Sequence, residues 1–433
     1  MTRTKLQVAL DFDELPRALA VAEAAVAGGA DYIEAGTPLI KSEGLNAVRR
    51  LREAIGDRVL IADMKTMDAG DIETSMAVKA GASVVTVCGT ASRATIAECV
   101  AAGRRHGCKV AVDLLGVEDP LGFAEQAEAL GVDWLDVHCA IDAQMTGADP
   151  LALLAEIRQA TNLTLAVAGG LTGQTAPRAA AAGADVVIVG GAITKAVDPR
   201  KATEDIRRAL DTGQAAGGEG FRRAAAGADA SLRELLARVR TCNLSDGWHR
   251  HPALAGLRPL APGMRAVGPA VTVKTVPGDW AKPVEAIDVA EAGEVIVVDA
   301  GGRPPAVWGE LATESCLNRG IAGLVCHGAV RDTADIRERG FAVWASEVTS
   351  HAGDPDGVGR INVPIAIAGQ VIHPGDWIVA DDDGVMVLPK ARAVEMANRG
   401  ADKLEWEDRV RAEIREGKTT LAKVLNLSRW EKT

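Results

Sequence analysis

Eight short runs of β-branched and aliphatic residues recur through the first half of the chain, each followed by an alanine-rich stretch of helical character. No other feature limits the fold as tightly. The runs are Val8–Leu10, Tyr32–Ile33, Val59–Ala62, Val84–Val87, Val110–Val112, Trp134–Val137, Leu163–Val167 and Val186–Val189. Their spacing is that of one strand plus one helix. Several helical stretches end alike, at Ala27-Gly28-Gly29-Ala30-Asp31, Ala80-Gly81-Ala82, Leu130-Gly131-Val132-Asp133 and Ala182-Gly183-Ala184-Asp185. A glycine there can take the left-handed conformation that stops a helix and lets the next strand begin. Continuously apolar strands are buried on both faces, as parallel strands must be. Eight such units in about 210 residues predict a closed (β/α)8 TIM barrel, with a doubly wound sheet as the alternative.

The repeat breaks after Leu210. Thr212–Gly220 and Ala224–Asp229 are small and polar, with little to bury. Ala230–Val239 then reads as an amphipathic helix. Strands outnumber helices from Met264 onward: Val267–Val276, Glu294–Val298, Gly323–Cys326, Ala342–Trp344, Ile365–Ile367, Trp377–Val379 and Gly384–Leu388. This predicts an α+β domain with a mixed sheet. The expected division is a barrel over 1–211, a linker over 212–229 and a second domain over 230–433. Ala391–Glu416 reads as a charged helix stopped by Gly417, either a solvated face or a subunit-packing surface.

A chain of 433 residues with 48% apolar content accommodates two cores. The formal charge of −11 argues against a nucleic-acid surface, which needs clustered cations. It leaves room for phosphorylated small molecules, which backbone amides can hold. Seven cysteines are scattered without a C-x-x-C pair, so neither a disulfide framework nor a zinc site is expected. That pattern fits the reducing cytoplasm. The N-terminus enters a strand-like run almost at once, so no signal peptide is expected, and no apolar segment reaches membrane-spanning length.

The chemistry-bearing residues fall where strands end, the face on which TIM barrels place their active sites. They are Asp11, Glu34, Asp63 with Lys65 and Asp68, Asp113 and His138, followed by the pairs Gly169-Gly170 and Gly190-Gly191. Any one of them alone is an ordinary cap or turn residue. The acid, base and acid at Asp63, Lys65 and Asp68 suit a metal ion and a developing negative charge, and acids, a lysine and a histidine at successive strand ends read as an active site. Paired glycines after strands seven and eight suit phosphate binding through backbone N–H groups. Asp11 is a strand-end cap or a substrate ligand; Asp113 reads as structural; His106 and Cys139 carry no chemical role.

Glu34-Ala35-Gly36-Thr37-Pro38-Leu39-Ile40, the Asp63–Asp68 stretch with Ala69-Gly70-Asp71, His138 with Asp142-Ala143-Gln144, Ala166–Gly170 and Val189–Thr194 resemble the 3-hexulose-6-phosphate synthases of the orotidine-5′-monophosphate decarboxylase suprafamily. The resemblance runs from about Leu6 to Leu210. It implies an Mg2+-dependent aldol lyase that joins formaldehyde to ribulose 5-phosphate, fixing formaldehyde or, in reverse, supplying ribulose 5-phosphate. It further implies Glu34 and Asp63 as metal ligands, Lys65 as the positive charge beside an enediolate, and His138 as proton shuttle. Asp68 is implied to reach across a dimer interface. The closest alternative, 3-keto-L-gulonate-6-phosphate decarboxylase, carries arginine where this chain has Ile141, and Gly-Arg where it has Gly191-Ala192. Both departures favour the synthase. Orotidylate decarboxylase itself needs no metal and would give Glu34 no ligand role.

The second half carries Gly301-Gly302, Trp308-Gly309-Glu310-Leu311 and Arg331-Asp332. Gly309 and Glu310 are expected at a helix start, Arg331 as a bidentate grip on a carboxylate, and Asp332 as a metal ligand through water. An Arg-Asp pair alone reads as a turn salt bridge. With Gly268–Thr272, Arg319–Gly323, Gly328–Asp332, Asn362–Pro364, Pro374–Asp376 and Asp382–Val385, however, it resembles the RraA family, which includes a ribonuclease E inhibitor and class II 4-hydroxy-4-methyl-2-oxoglutarate aldolases. The match covers about Leu232 to Pro389. It implies a swivelling β/β/α domain, often trimeric, acting on a 2-oxo acid as aldolase or decarboxylase with Mg2+ or Mn2+, or else serving as a regulatory or oligomerisation module. Glu310 stands where the aldolases have aspartate, a departure that bears on the aldolase reading. A dimeric barrel joined to a trimeric domain would give a hexamer.

Overall fold

The computed structural model describes residues 3–147, 149–216, 223–224 and 227–430. The chain forms two compact units. Met1–Gln144, Ala148–Gly220 and Arg409–Thr433 make the first; Met145–Gly147 and Phe221–Asp408 make the second. Much of the segment expected as a linker, 217–222 and 225–226, lies outside the described residues. The boundaries 1–211 and 230–433 stand as a proposal.

In the first unit the eight runs become β1 (Lys5–Leu10), β2 (Tyr32–Ala35), β3 (Val59–Thr66), β4 (Val84–Cys88), β5 (Lys109–Asp113), β6 (Trp134–His138), β7 (Thr164–Ala168) and β8 (Val186–Val189). Each is hydrogen-bonded in parallel to the next, and β8 returns to β1 with Val8 opposite Val189, closing the barrel. Side chains alternate along each strand. Leu6, Val8, Leu10, Ile33, Leu60, Leu135 and Val137 pack outward beneath the helices and are fully buried. Each such aliphatic side chain contributes roughly 1.5–3 kcal/mol. The helix Asn46–Ile55 shows the complementary pattern, burying Ala47, Val48, Leu51 and Ile55 on one stripe. Gly29, Gly81, Gly131 and Gly183, which precede the next strands, all have positive φ.

The barrel interior is plugged from below. Tyr32 and Trp134 stack at 6.3 Å between ring centroids, packed with Ile61, Val84 and Ala111. Two residues further along the same strands the interior turns polar, at Glu34, Asp63, Thr86, Asp113 and Asp136. The chemistry therefore stands on a solid apolar floor.

The second unit contains β9 (Arg258–Pro259), β10 (Ala266–Lys274), β11 (Val295–Asp299), β12 (Ala306–Trp308), β13 (Gly323–Val330), β14 (Val343–Val348), β15 (Arg360–Ile361), β16 (Ile365–Ile367), β17 (Gln370–Ile372), β18 (Trp377–Asp381) and β19 (Gly384–Leu388). The main sheet runs β19-β18-β10-β11-β13-β14-β9, with β10, β11, β13 and β14 parallel and β9, β18 and β19 antiparallel to their neighbours. This is the expected mixed sheet. The strands without a sequence signal, β9, β12, β15 and β17, span two or three residues each, too short for alternation to register. The helix expected from Ala230 spans Asp229–Arg238, and the charged C-terminal helix spans Ala393–Glu416. All seven cysteines are free, and among the described residues no helix is long and apolar enough to cross a membrane.

Close packing behind β3 gives a stability test. A Cβ on Gly70 would lie 2.4 Å from the Thr95 carbonyl oxygen and 2.9 Å from Cys99 Sγ. We expect Gly70→Ala to lower unfolding free energy by about 1–3 kcal/mol in a denaturant titration, whereas a change under 0.5 kcal/mol would show that the contact yields freely.

Candidate active site

The distinctive local feature is the end of β3. Its pairing with β4 slips between Ala62 and Thr66, and Lys65 adopts a left-handed φ of 46°. A non-glycine residue in that region costs of order 1–3 kcal/mol and persists only where its surroundings hold it. Here they do. The Lys65 N–H donates to Thr86 Oγ1 at 3.2 Å. The Lys65 ammonium donates to Asp63 Oδ2 at 2.9 Å and to Asp113 Oδ2 at 2.7 Å.

Asp113 is the hub. The same Oδ2 meets His138 Nδ1 at 2.9 Å, and Oδ1 accepts the Leu115 N–H at 2.9 Å. Burial alone would raise this carboxyl; the bond and charge of His138, then those of Lys65, more than offset it and bring it down to about 2. Burial alone would likewise lower Lys65, but the charges of Asp63 and Asp113 and the bonds to both hold its ammonium well above the ordinary range. With Nδ1 committed to Asp113, His138 keeps Nε2 for another partner. Asp63 is further gripped by Thr86 at Oδ1 and Thr37 at Oδ2, both at 2.6 Å.

Glu34 and Asp11 complete an acidic group. Glu34 Oε2 accepts from Gln7 Nε2 at 2.5 Å, and burial first, then the charges of Asp63 and Asp11, push its carboxyl well above the usual range. Asp11 opens on the barrel mouth; desolvation there and the Asp63 charge raise it, while Lys65 and His138 pull it down. Among the described residues no three His, Cys, Asp or Glu side chains come together as a metal-holding group. The donor set does suit Mg2+, which is commonly bound by one or two carboxylates with substrate and water oxygens completing its shell. Mutually repelling Glu34 and Asp63 carboxylates are what such a cation would relieve.

The glycine pairs differ. Gly169 and Gly170 have φ of 128° and 65°, and a Cβ on Gly169 would lie 2.7 Å from Cys139 Cβ. A Cβ on Gly190 or Gly191 would meet only ordinary contacts, with Asp11 Oδ2 at 3.8 Å and Lys195 Cε at 3.7 Å. A Cβ on Gly36 would fall 2.2 Å from Asp11 Oδ1. Asp68 is exposed on the following loop, its Oδ1 accepting the Ala69 N–H, and it makes no bond to Asp63, Lys65 or Asp113.

The hub role of Asp113 was not legible from its position, where it read as structural; nor were Thr37, Thr86 and Gln7. Asp136 was missed altogether. It lies two residues before His138, is buried, and leaves Oδ1 without a partner. Burial, then Asp113 and Asp63, push it well above the ordinary carboxylate range.

In the second unit, Gly309 precedes the helix Glu310–Arg319 and the Glu310 N–H donates to Asp332 Oδ2 at 3.2 Å. Arg331 Nε lies 3.5 Å from the same oxygen. The Glu310 carboxylate turns to Arg339 at 2.6 Å, and Leu311 is 80% exposed. These residues do converge, but Glu310 is already partnered.

The acid side of the Asp113 pairing is testable. An acid whose folded pKa is depressed stabilises the fold fully above its unfolded value and loses that contribution as pH falls through the folded one. For Asp113 the window runs from the ordinary 3.8 down to about 2. We expect acid unfolding of the wild type to be steeper across that window than that of Asp113→Asn, by about 2 kcal/mol. Parallel curves would remove Asp113 from the account.

Each half of the chain is similar to known proteins. Residues 4–206 match the orotidine 5′-phosphate decarboxylase / HUMPS family, and residues 241–387 match the RraA-like family, Aldolase/RraA. A 3-hexulose-6-phosphate synthase of Mycobacterium gastri is 44% identical over 207 residues, 48% of this chain and 99% of that protein. One from Staphylococcus epidermidis is 38% identical over 208 residues, with the same coverage of each. The RNA-processing inhibitor RraA from Thermus thermophilis shares 32% identity over 35% of this chain and 94% of its own, with a TM-score of 0.33. The barrel is thus an aldol-type lyase, and the chain belongs through it to the 3-hexulose-6-phosphate synthase family, fused to an RraA-like domain.

Proposed function

We propose that the barrel joins formaldehyde to ribulose 5-phosphate, giving the 3-hexulose 6-phosphate, with Mg2+ held by Glu34 and Asp63. The observation that carries this reading is the pair of bonds on Asp113 Oδ2, which sets a lysine ammonium and an imidazole around one carboxylate. His138 Nε2 takes the proton beside the ketone. Lys65 places its charge where the enediolate oxygen develops. Bound Mg2+ supplies Lewis-acid stabilisation of that charge. Asp11 binds substrate, and the amides of Gly169, Gly170, Gly190 and Gly191 hold the phosphate. Residue 141 is an isoleucine, so its position offers no cation to a decarboxylation. Asp68 serves a neighbouring subunit; the exposed Met67, Ile72 and Met76 nearby suit a dimer face. In the second unit Arg331 holds a 2-oxo acid carboxylate and Asp332 a water-linked Mg2+ or Mn2+.

A formaldehyde-fixation assay with ribulose 5-phosphate and Mg2+ tests the barrel. We expect Asp63→Ala to abolish activity and His138→Ala to lower kcat by about 10²–10⁴-fold; full activity in Asp63→Ala would overturn the ligand assignment. Mixing Asp68→Ala with Lys65→Ala protein is expected to restore some activity, and none after proven subunit exchange would count against shared sites.

Metal binding itself has a pH signature. Because burial and the Asp63 and Asp11 charges raise the Glu34 carboxyl, a proton competes with Mg2+ for it. Calorimetry in buffers of different ionisation enthalpy is expected to show proton release and an affinity that rises with pH. Binding without proton release would place the metal elsewhere.

A further inference from the structure

A second lysine–aspartate–histidine set lies in the RraA-like unit, apart from the Arg331-Asp332 pair. Lys274, Asp299 and His327 occupy one row across the parallel strands β10, β11 and β13, Lys274 opposite Asp299 and Asp299 opposite His327. Residues in register on adjacent strands share a face, and all three stand at or near the strands' C-terminal ends, where open parallel sheets receive ligands. Asp299 Oδ2 accepts from the Lys274 ammonium at 2.5 Å, and Oδ1 meets His327 Nδ1 at 3.0 Å and the Gly301 N–H at 3.2 Å.

The bonding repeats that of Lys65, Asp113 and His138 in the barrel, with the difference that here the lysine and the histidine use different carboxylate oxygens. The Asp299 side chain is only 4% exposed, whereas Lys274 and His327 are 52% and 26% exposed, so the anchor is buried and the working groups face solvent. Burial alone would raise Asp299; the bonds from Lys274 and His327 more than offset it, and the carboxyl lies below its ordinary value. Gly302, with φ of 72°, keeps the imidazole open: a Cβ there would lie 2.6 Å from His327 Nε2.

We propose that this set is a proton-transfer site for a small carbonyl compound carrying an anionic group, with His327 as base and the Lys274 ammonium facing the carbonyl oxygen. Nε2 takes the proton from the carbon next to the carbonyl. The C–H electron pair becomes the carbon–carbon double bond of an enolate, and the carbonyl π pair moves onto oxygen beside the two ammonium N–H groups that Asp299 leaves unused. Return of a proton from the imidazolium restores the carbonyl, so the cycle needs no oxidant or reductant. The anionic group belongs to a 2-oxo acid or to a hydroxyketone phosphate. The proposal is independent of the barrel reading.

The test is deuterium exchange followed by proton NMR in D2O, on the full chain carrying Asp63→Ala, with pyruvate and dihydroxyacetone phosphate as separate probes. Exchange with pyruvate assigns the oxo-acid class and exchange with the phosphate assigns the other. We expect at least a 100-fold loss in His327→Asn and in Gly302→Ala, and a loss of about tenfold or more in Lys274→Met. If His327→Asn does not fold, Lys274→Met decides, since that side chain is 52% exposed and its loss leaves Asp299 bonded to His327 and the Gly301 N–H. No exchange with either probe, or exchange within threefold of the parent in His327→Asn or Lys274→Met, would overturn the proposal. Formaldehyde fixation by the unmodified chain reports on the barrel separately.

Discussion

A single buried carboxylate organises the barrel's chemistry. Asp113 is 2% exposed, and one of its oxygens holds both the Lys65 ammonium and the His138 imidazole. A charge so placed must be paired, because a lone buried carboxylate costs several kcal/mol. Its two partners cannot leave without exposing it to that cost. This fixes the lysine at its strained backbone position and fixes the imidazole's orientation, with Nε2 left uncommitted to Asp113.

The surrounding acids work by contrast. Asp63 is held by Lys65, Thr37 and Thr86. Glu34 has a glutamine bond and an apolar floor beneath it, so its charge is disfavoured without an added cation. Asp136 is buried with one oxygen unpartnered, and burial together with the Asp113 and Asp63 charges raises its carboxyl well above the ordinary range. Carboxylates within one barrel mouth thus differ in their readiness to ionise, set by which donors the neighbouring strands bring to each. The RraA-like unit places the same three residue types, lysine, aspartate and histidine, across a sheet of unrelated topology. What recurs is the electrostatic arrangement, a buried carboxylate between a lysine ammonium and an imidazole.

Much of this was legible in the sequence because the barrel is a repeat. Continuous apolar runs with glycine stops mark the eight strands, and period-two alternation carries Glu34, Asp63 and His138 to the interior. The residues that escaped were those whose meaning depends on other strands. Asp113 and Asp136 differ from ordinary strand acids only through what β3 and β6 place beside them. In the second unit, Lys274, Asp299 and His327 lie far apart in the chain and follow no motif, so nothing in their spacing announces them. Glu310 shows the converse: its place at a helix start was readable, but its salt bridge to Arg339 was not.

The sequence by itself determined the barrel, the mixed sheet of the second unit and the strand ends where chemistry could stand, because hydrophobic period and glycine punctuation are local properties of the chain. Tertiary structure alone decided which of those polar residues touch. The slip in β3–β4 pairing turns Lys65 toward Asp113, strand register aligns Lys274 with Asp299 and His327, and the stacked Tyr32 and Trp134 close the floor beneath Glu34. Proton affinity follows distance and burial, and both are set only when strands distant in sequence come side by side.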